Sequence, residues 1–172
     1  MSHPTLTTLS LSFGRNRLGF AVFRRGHMEY YAGKTLSRFR TTRDRNKRML
    51  VTLNELVRDH RINQIALLRL NKQQRHSSEL CSLYATVRRF CLKNGLTVVA
   101  QDPVQVRRKL TGGAKPSKAN TMSRLIEIFP ELKRYANGGS EWERRYYGHL
   151  FTAIGSGLVA TCFAAPSEGV IK

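Results

Sequence analysis

Residues 107–118, RRKLTGGAKPSK, carry the residue types that bind phosphate groups. Five cations surround two adjacent glycines, Gly112 and Gly113. Because glycine has no side chain, its backbone N–H groups can approach a phosphate oxygen closely, while lysine and arginine supply the opposite charge. The same glycines also suit an ordinary turn before a helix. The pattern therefore predicts either a contact with a nucleic-acid backbone or a simple loop.

The overall charge favours a nucleic-acid partner. The chain has 30 Lys and Arg residues against 11 Asp and Glu residues, which amounts to a formal charge of +19. A surface this basic is typical of proteins that bind a polyanion, above all nucleic acid. An acidic protein and an anionic membrane surface are the alternatives. The cations are spread along the whole chain, which argues against a detachable basic tail.

Other chemistry has little support in the sequence. No GxSxG, P-loop or GxGxxG motif occurs, and Ser12 has no base near it in the sequence. Three widely spaced cysteines without CxxC or Cys/His spacing indicate reduced side chains rather than disulfides or a metal site. The N-terminus lacks a secretory pattern, and residues 150–165 are too short and too mixed for a membrane span. We therefore expect an intracellular protein, cytoplasmic and associated with the nucleoid or in another compartment, that does not enter a membrane.

A sheet that begins at the N-terminus would position these side chains. Residues 7–13, 18–24 and 28–35 predict three successive strands with short turns, which together form an antiparallel meander. In the first strand, apolar residues alternate with Thr and Ser, and this alternation predicts a strand with one buried face.

The middle of the chain alternates helix and strand patterns. The basic run 37–48 leads into a helix with an apolar stripe, and this run is either a solvated helix start or an edge that contacts phosphates. Apolar runs at 61–70 and 96–100 predict buried parallel strands on either side of a helix over 80–91, which Ser77 or Ser78 can cap. Such alternation after a meander predicts an α/β layer fold.

Helical patterns dominate the rest of the chain. Asp102 and Pro103 begin a short helix over 104–110, and another helix runs from about 119 to 129. Residues 131–140 are expected to form a surface connection. Ser140 and Glu143 form a capping box that begins a last helix over 141–163. Four small residues of that helix would let it lie close against the sheet: Gly148, Thr152, Gly155 and Ser156. No boundary divides the chain, so we expect one domain over residues 1–172.

The order of these elements and several short stretches resemble the RuvC family of Holliday-junction resolvases, a branch of the ribonuclease H-like superfamily. SLSFG at 10–14 followed by LGFAV at 18–22 is similar to the family's GIDPG and TGYAV, and INQIALL at 62–68 stands where the family has a strand. DPVQVRRKLTGGAKPSK at 102–118 is similar to VKKAVTGNGKASK and is the most specific match, and HLFTAIG at 149–155 stands in place of HAADALA. The resemblance implies an α/β ribonuclease H-like fold, with a central mixed five-stranded sheet of an antiparallel meander and parallel strands, flanked by helices.

The departures from the family concern its metal site. Such resolvases cleave with two magnesium ions held by four clustered side chains, nearly all of them carboxylates. The corresponding positions here hold Ser12, Leu68, His149 and Thr152. Magnesium needs anionic oxygen ligands, and two neighbouring ions need several carboxylates to offset their repulsion. We therefore expect no metal cofactor and no nuclease activity, with His149 as a hydrogen-bonded helix residue. A relocated metal site of Asp102, Glu79 and His149 is the alternative.

The resemblance thus implies a catalytically inactive RuvC-like protein, a pseudo-nuclease that recognises branched DNA or structured nucleic acid through a basic surface that contacts phosphates. In the family fold, the candidate contacts approach the former metal cleft and should form one surface. They are Arg15, Arg17, Arg69, Lys72, Arg75, Arg107, Arg108, Lys109, Gly112, Gly113, Lys115, Lys118, Arg144 and Arg145. Resolvases of this family are homodimers. By the same resemblance, we expect a dimer interface here, formed by exposed apolar residues of the 80–91 helix, Tyr84 and Phe90.

Two other functions stay open at this point. The chain could be a structural subunit of a larger nucleoprotein complex in a mobile-element, recombination or RNA-guided system, where it would bind RNA or an acidic partner. An active magnesium-dependent Holliday-junction endonuclease, with a role in DNA recombination, is the function that the fold suggests and the residues argue against.

Overall fold

The computed structural model describes residues 6–136 and 141–162, except for the side chains of 141, 142 and 144–146. Within these residues, five strands form one mixed sheet in the order β3-β2-β1-β4-β5. They are β1 Thr7–Phe13, β2 Arg17–Arg24, β3 His27–Thr35, β4 Gln64–Leu68 and β5 Thr97–Gln101. The first three strands pair antiparallel, while β1, β4 and β5 pair parallel. The predicted mixed five-stranded sheet is confirmed.

Helices flank the sheet, and several begin at short polar side chains that accept backbone hydrogen bonds. The α-helices of the described residues are α1 Thr42–His60, α2 Ser78–Lys93, α3 Pro103–Thr111, α4 Lys118–Ile128, α5 Lys133–Ala136 and α6 Glu141–Cys162. Ser77 caps α2 by accepting from Leu80 N–H, and Ser117 caps α4 in the same way. Asp102 caps α3, where Pro103 occupies the first helical position. These starts agree with the predicted helix signals.

The second part of the basic run 37–48 is itself part of a helix. α1 begins at Thr42, and Thr41 caps it by accepting from Asp44 N–H. Within the run, the Arg45 guanidinium lies 3.0 Å from the Glu79 carboxylate of α2. Residues 42–48 therefore start a helix, and Arg45 is held against the neighbouring helix. Whether other cations of the run contact phosphates stays a prediction.

β1 is buried on both faces, which corrects the prediction of one buried face. All seven of its residues are buried because the strand lies at the centre of the sheet, with helices on both sides. Its inward polar groups are paired, as burial requires. Ser10 Oγ donates to the Ala153 carbonyl of α6 at 2.5 Å, and Gln64 Nε2 donates to Thr8 Oγ1 at 3.0 Å. The alternation of Thr and Ser with apolar residues thus marks a second helix-covered face rather than a solvated one.

Two apolar clusters cover the two faces of the sheet. On one face, Leu9 and Leu11 of β1 pack with the stripes of α1 and α2. On the other face, Phe23 of β2 packs with α3, α4 and α6. α6 lies so close to β2 that a Cβ on Gly19 would overlap the backbone carbonyl of His149. This close approach fixes the position of α6 over the ends of β1 and β2.

The small-residue face predicted for α6 is partly wrong. Gly148 has no atom near its missing Cβ, and Thr152 faces an open cavity. Gly155 faces Leu110 of α3, while Gly157, which the prediction omitted, lies against Phe23 of the sheet. The small residues of α6 that pack closely, Gly155, Ser156 and Gly157, lie in its C-terminal half. At His149, in the N-terminal half, Gly19 of the sheet makes the room instead.

The predicted surface connection over 131–140 is also wrong in its first half. Residues Pro130–Leu132 form a 3-10 turn that leads directly into α5. Leu132 is fully buried in the cluster beneath α6, and the Tyr135 ring packs against the rings of Tyr31 and Tyr147. Isolated apolar residues in a polar stretch therefore anchor this segment. The rest of the stretch, with the predicted cap Ser140, lies outside the described residues.

The two aromatic residues expected to be exposed on α2 lie inward instead. Phe90 is only 7% exposed, and the Tyr84 ring packs against Phe13 with 6.3 Å between ring centroids. α2 lies directly over the sheet, so its apolar stripe packs against the core of the same chain. Leu92 is the large exposed apolar residue of this helix. Dimerisation stays a prediction, but Tyr84 and Phe90 pack within the chain and are not available to form its interface. Among the described helices, none has the length and apolar character needed to cross a membrane.

Candidate functional site

The four positions that correspond to the metal ligands of resolvases meet in one cavity. Ser12 lies near the end of β1, Leu68 is the last residue of β4, and His149 and Thr152 lie on α6. Because β1 and β4 are parallel neighbours, their ends reach the same edge of the sheet, which α6 crosses. The cavity has a volume of about 680 Å³, and all four side chains line it.

Ser12 and His149 form a hydrogen bond across this cavity wall. The distance between Ser12 Oγ and His149 Nδ1 is 3.0 Å. The other ring nitrogen, Nε2, lies 2.5 Å from where a Cβ of Gly14 would stand, so this glycine makes room for the imidazole. The pair confirms the interpretation of His149 as a hydrogen-bonded helix residue. It also supplies Ser12 with a base that sequence proximity could not reveal, since 137 positions separate the two residues.

The imidazole of His149 is uncharged at neutral pH. Burial, together with the smaller effect of the positive charges of Arg17 and Lys118, lowers the pKa of His149 from 6.5 to about 4. The charges of two separate elements, β2 and α4, thus converge on one point of the cavity wall. The site has a positive potential rather than the negative one that metal binding requires.

The residues of the cavity do not fit a two-magnesium centre. Among the described residues that line it there is no Asp or Glu, and Leu68 offers no ligand atom. Hydroxyl groups and one neutral imidazole supply no anionic oxygen for hard divalent cations. Across residues 6–136 and 141–162, no group of three His, Cys, Asp or Glu side chains could hold an ion.

The relocated metal site considered above is not assembled. Asp102 Oδ1 accepts the N–H groups of Val104 and Gln105 as the cap of α3. The Glu79 carboxylate pairs with Arg15 and Arg45 on the other side of the sheet. Each carboxylate is therefore committed elsewhere, and His149 contacts neither.

Four of the predicted phosphate contacts line the cavity with these residues: Arg17, Arg69, Arg107 and Lys118. Within the described part of the chain, none of the four forms an ion pair with a carboxylate. They come from β2, the segment after β4, α3 and α4, so the fold gathers cations that are far apart in sequence. Such unpaired cations in a concave site favour an anionic ligand.

The remaining predicted contacts lie outside the cavity lining: Arg15, Lys72, Arg75, Arg108, Lys109, Gly112, Gly113 and Lys115. Arg15 is held by Glu79 at 2.9 Å, and the Arg75 guanidinium donates to the Leu70 carbonyl. Arg144 and Arg145 belong to α6, but their side chains lie outside the described residues. Of the predicted single surface, four cations therefore line the cavity, and the other described candidates lie outside its lining.

The Gly-rich loop is an exposed turn that ends α3. Gly112 and Gly113 have positive φ angles of 53° and 104°, a conformation that disfavours other residues. Gly112 N–H donates to the Arg108 carbonyl and closes the helix. The turn alone accounts for both glycines, and both are exposed. A phosphate contact here stays a prediction.

Two polar residues of the cavity were missed by the sequence patterns. Asn71 and Gln74 line it just after β4. Each backbone N–H donates to the other residue's side-chain oxygen, at 3.0 and 2.8 Å, so two reciprocal hydrogen bonds close this loop. Asn and Gln three positions apart directly after a buried strand are the signal that could have pointed to them.

Comparisons with known proteins agree with this geometry at the level of the fold. No protein-family model and no curated protein sequence matches the chain. RuvC of Thermus thermophilus superposes with a TM-score of 0.67 at 14% identity, over 91% of this chain and 96% of that one. The same protein in complex with Holliday junction substrate gives 0.65 at 16% identity, over 89% and 91%. The yeast mitochondrial Holliday junction resolvase Ydc2 gives 0.64 at 9% identity, over 93% and 80%. The chain therefore has the RuvC-type ribonuclease H-like fold.

Proposed function

We propose that this chain is a catalytically inactive, RuvC-like protein that binds branched nucleic acid through its phosphates. The observation that carries the proposal is the cavity at the ends of β1 and β4. It holds the four positions of the former metal site, four unpaired cations and no carboxylate among its described lining residues. The frame of a junction nuclease is thus combined with a site that suits phosphate and does not suit magnesium.

Branched DNA is the preferred ligand because structural neighbours with this fold carry it. The Thermus thermophilus RuvC and the fowlpox virus resolvase were both solved with Holliday junction DNA or substrate. A formal charge of +19 favours any polyanion, so the shape of the ligand would supply the selectivity. Binding dominated by phosphates should depend strongly on salt and little on sequence.

The test measures binding and cleavage together. Purified protein is titrated into labelled four-way junction, duplex DNA, single strands and structured RNA, with and without Mg²⁺ or Mn²⁺, at two salt concentrations. Tight junction binding without metal-dependent cutting is the expected result. Cutting that depends on metal would refute the inactive site, and a preference for RNA would favour a subunit of a nucleoprotein complex.

A reconstruction variant tests the reason for inactivity. Three substitutions restore carboxylates at the former metal positions: Ser12→Asp, Leu68→Glu and Thr152→Asp. The backbone holds these three positions in one cavity, so the new carboxylates would lie close together. We therefore expect Mg²⁺ to raise the melting temperature of the triple variant and not that of the wild type. A wild-type protein with the same Mg²⁺ response would contradict the proposal.

A further inference from the structure

We infer that the cavity binds a backbone phosphodiester directly, with the arginine and lysine side chains acting where resolvases place divalent cations. The inference rests on the proposed nucleic-acid function and assigns its ligand group and its site. In a two-metal nuclease, the ions neutralise the phosphate and hold it against the carboxylates. Here the protein itself supplies the positive charge, so the contact needs no metal.

Geometry supports a direct contact. Arg17, Arg107 and Lys118 come from β2, α3 and α4, and all three line the same 680 Å³ cavity as His149. These cations therefore surround a concave space rather than a flat face. Cations on several sides of one concave space can form charge-assisted hydrogen bonds to a single phosphate group.

The neutral groups of the cavity also suit a phosphodiester. Ser12 is 7% exposed and its hydroxyl is paired with His149, so the wall beneath the cations carries no negative charge. Apolar residues, among them Leu68 and Met122, form other parts of the lining. A phosphate would meet cations without the repulsion that an intact resolvase site exerts before it binds metal.

Magnesium should consequently be a competitor rather than a cofactor. Divalent cations bind the DNA phosphates and must be released when protein cations replace them. At matched ionic strength, we expect wild-type affinity for a four-way junction in EDTA to equal or exceed the affinity in Mg²⁺. Junction binding that requires Mg²⁺ would overturn the inference.

A pair of double variants locates the contact. Arg107→Gln with Lys118→Gln removes two charges from the cavity, while Arg88→Gln with Arg89→Gln removes two exposed charges from α2, which covers the other face of the sheet. In EDTA, the cavity variant should bind the junction about tenfold more weakly per removed cation. The slope of log K against log salt should fall by about 1.8, as expected for two lost phosphate contacts. The α2 variant should keep wild-type affinity and slope.

The outcomes separate this inference from the function on which it rests. If the wild type binds no nucleic acid, the proposed function is refuted. If the wild type binds and the two double variants behave alike, only the inference is overturned. Circular dichroism melts establish that both variants are folded.

Two further measurements address charge sign and ligand source. Thr152→Asp places a carboxylate in the cavity at a partly exposed position, so metal-free junction binding should weaken about tenfold. Unchanged binding by this variant would contradict the inference. Inorganic phosphate distinguishes the ligand source. If phosphate stabilises the wild type saturably, and the cavity variant loses this stabilisation while it keeps wild-type junction affinity, the cavity is a free-anion site and the assignment to a nucleic-acid backbone is overturned.

Discussion

Replacement of His149 by Asn should remove an acid-dependent loss of stability. In the folded chain, burial and the charges of Arg17 and Lys118 lower the pKa of His149 to about 4, whereas the unfolded chain has the ordinary value of 6.5. The unfolded state therefore binds more protons between these two values. Stability is full above pH 6.5 and is lost as the pH falls towards 4.

The magnitude follows from the two pKa values. Each tenfold difference in proton affinity corresponds to about 1.36 kcal/mol, so lowering the pH from 7 to 5 should cost the wild type about 2 kcal/mol through His149. Asn has a helix propensity similar to that of His and does not titrate, and its side-chain amide can either accept from or donate to Ser12 Oγ in place of Nδ1.

The assay is urea unfolding at pH 7 and pH 5. The difference in free energy of unfolding between the two pH values should be about 2 kcal/mol smaller for His149→Asn than for wild type. His76→Asn is the matched control, because His76 is exposed on the short turn before α2. Equal pH dependence in His149→Asn and wild type would refute the buried, neutral imidazole.

Two further predictions concern the packing of α6 and the cysteines. Gly19→Ala should lower the free energy of unfolding by about 1–3 kcal/mol, because its Cβ would overlap the His149 carbonyl, which is backbone and cannot rotate away. Urea unfolding measures this, and Gly148→Ala, with open space at its Cβ, is the control; a Gly19→Ala protein as stable as wild type would contradict the close approach. Iodoacetamide should modify exposed Cys162 in the native protein and spare Cys91, since burial raises the pKa of the Cys91 thiol to about 11. Mass spectrometry of peptides reads the result, and rapid native labelling of Cys91 would contradict its burial.

Most secondary structure was predictable because its signals are local. The capping residues Ser77 and Asp102 stand directly before their helices, and the apolar runs of β4 and β5 are continuous. The errors arose where burial depends on distant neighbours. β1 has an alternating pattern, yet α6, more than 100 positions away in the chain, covers its polar face.

The candidate site was predictable in its residue types and only partly in its membership. Ser12, Leu68, His149 and Thr152 were identified together through a resemblance, and the fold brings all four to one cavity. Arg15 was assigned to the same surface as Arg17, two positions away. The turn between β1 and β2 directs Arg15 towards Glu79 instead, and no local spacing encodes that ion pair.

Charge and local pattern were sufficient to predict a basic α/β protein, whereas the resemblance to a family supplied the four positions at which carboxylates were expected and are absent. Those properties depend on residue types and on neighbours within a few positions, which the chain displays directly. Which cations share a cavity, and that His149 stands beside Ser12 as a neutral partner, depended on how β1, β4 and α6 pack. The distances between charges and the loss of water around the His149 ring arise only when distant segments meet. These two factors lower the pKa of His149 in the folded chain.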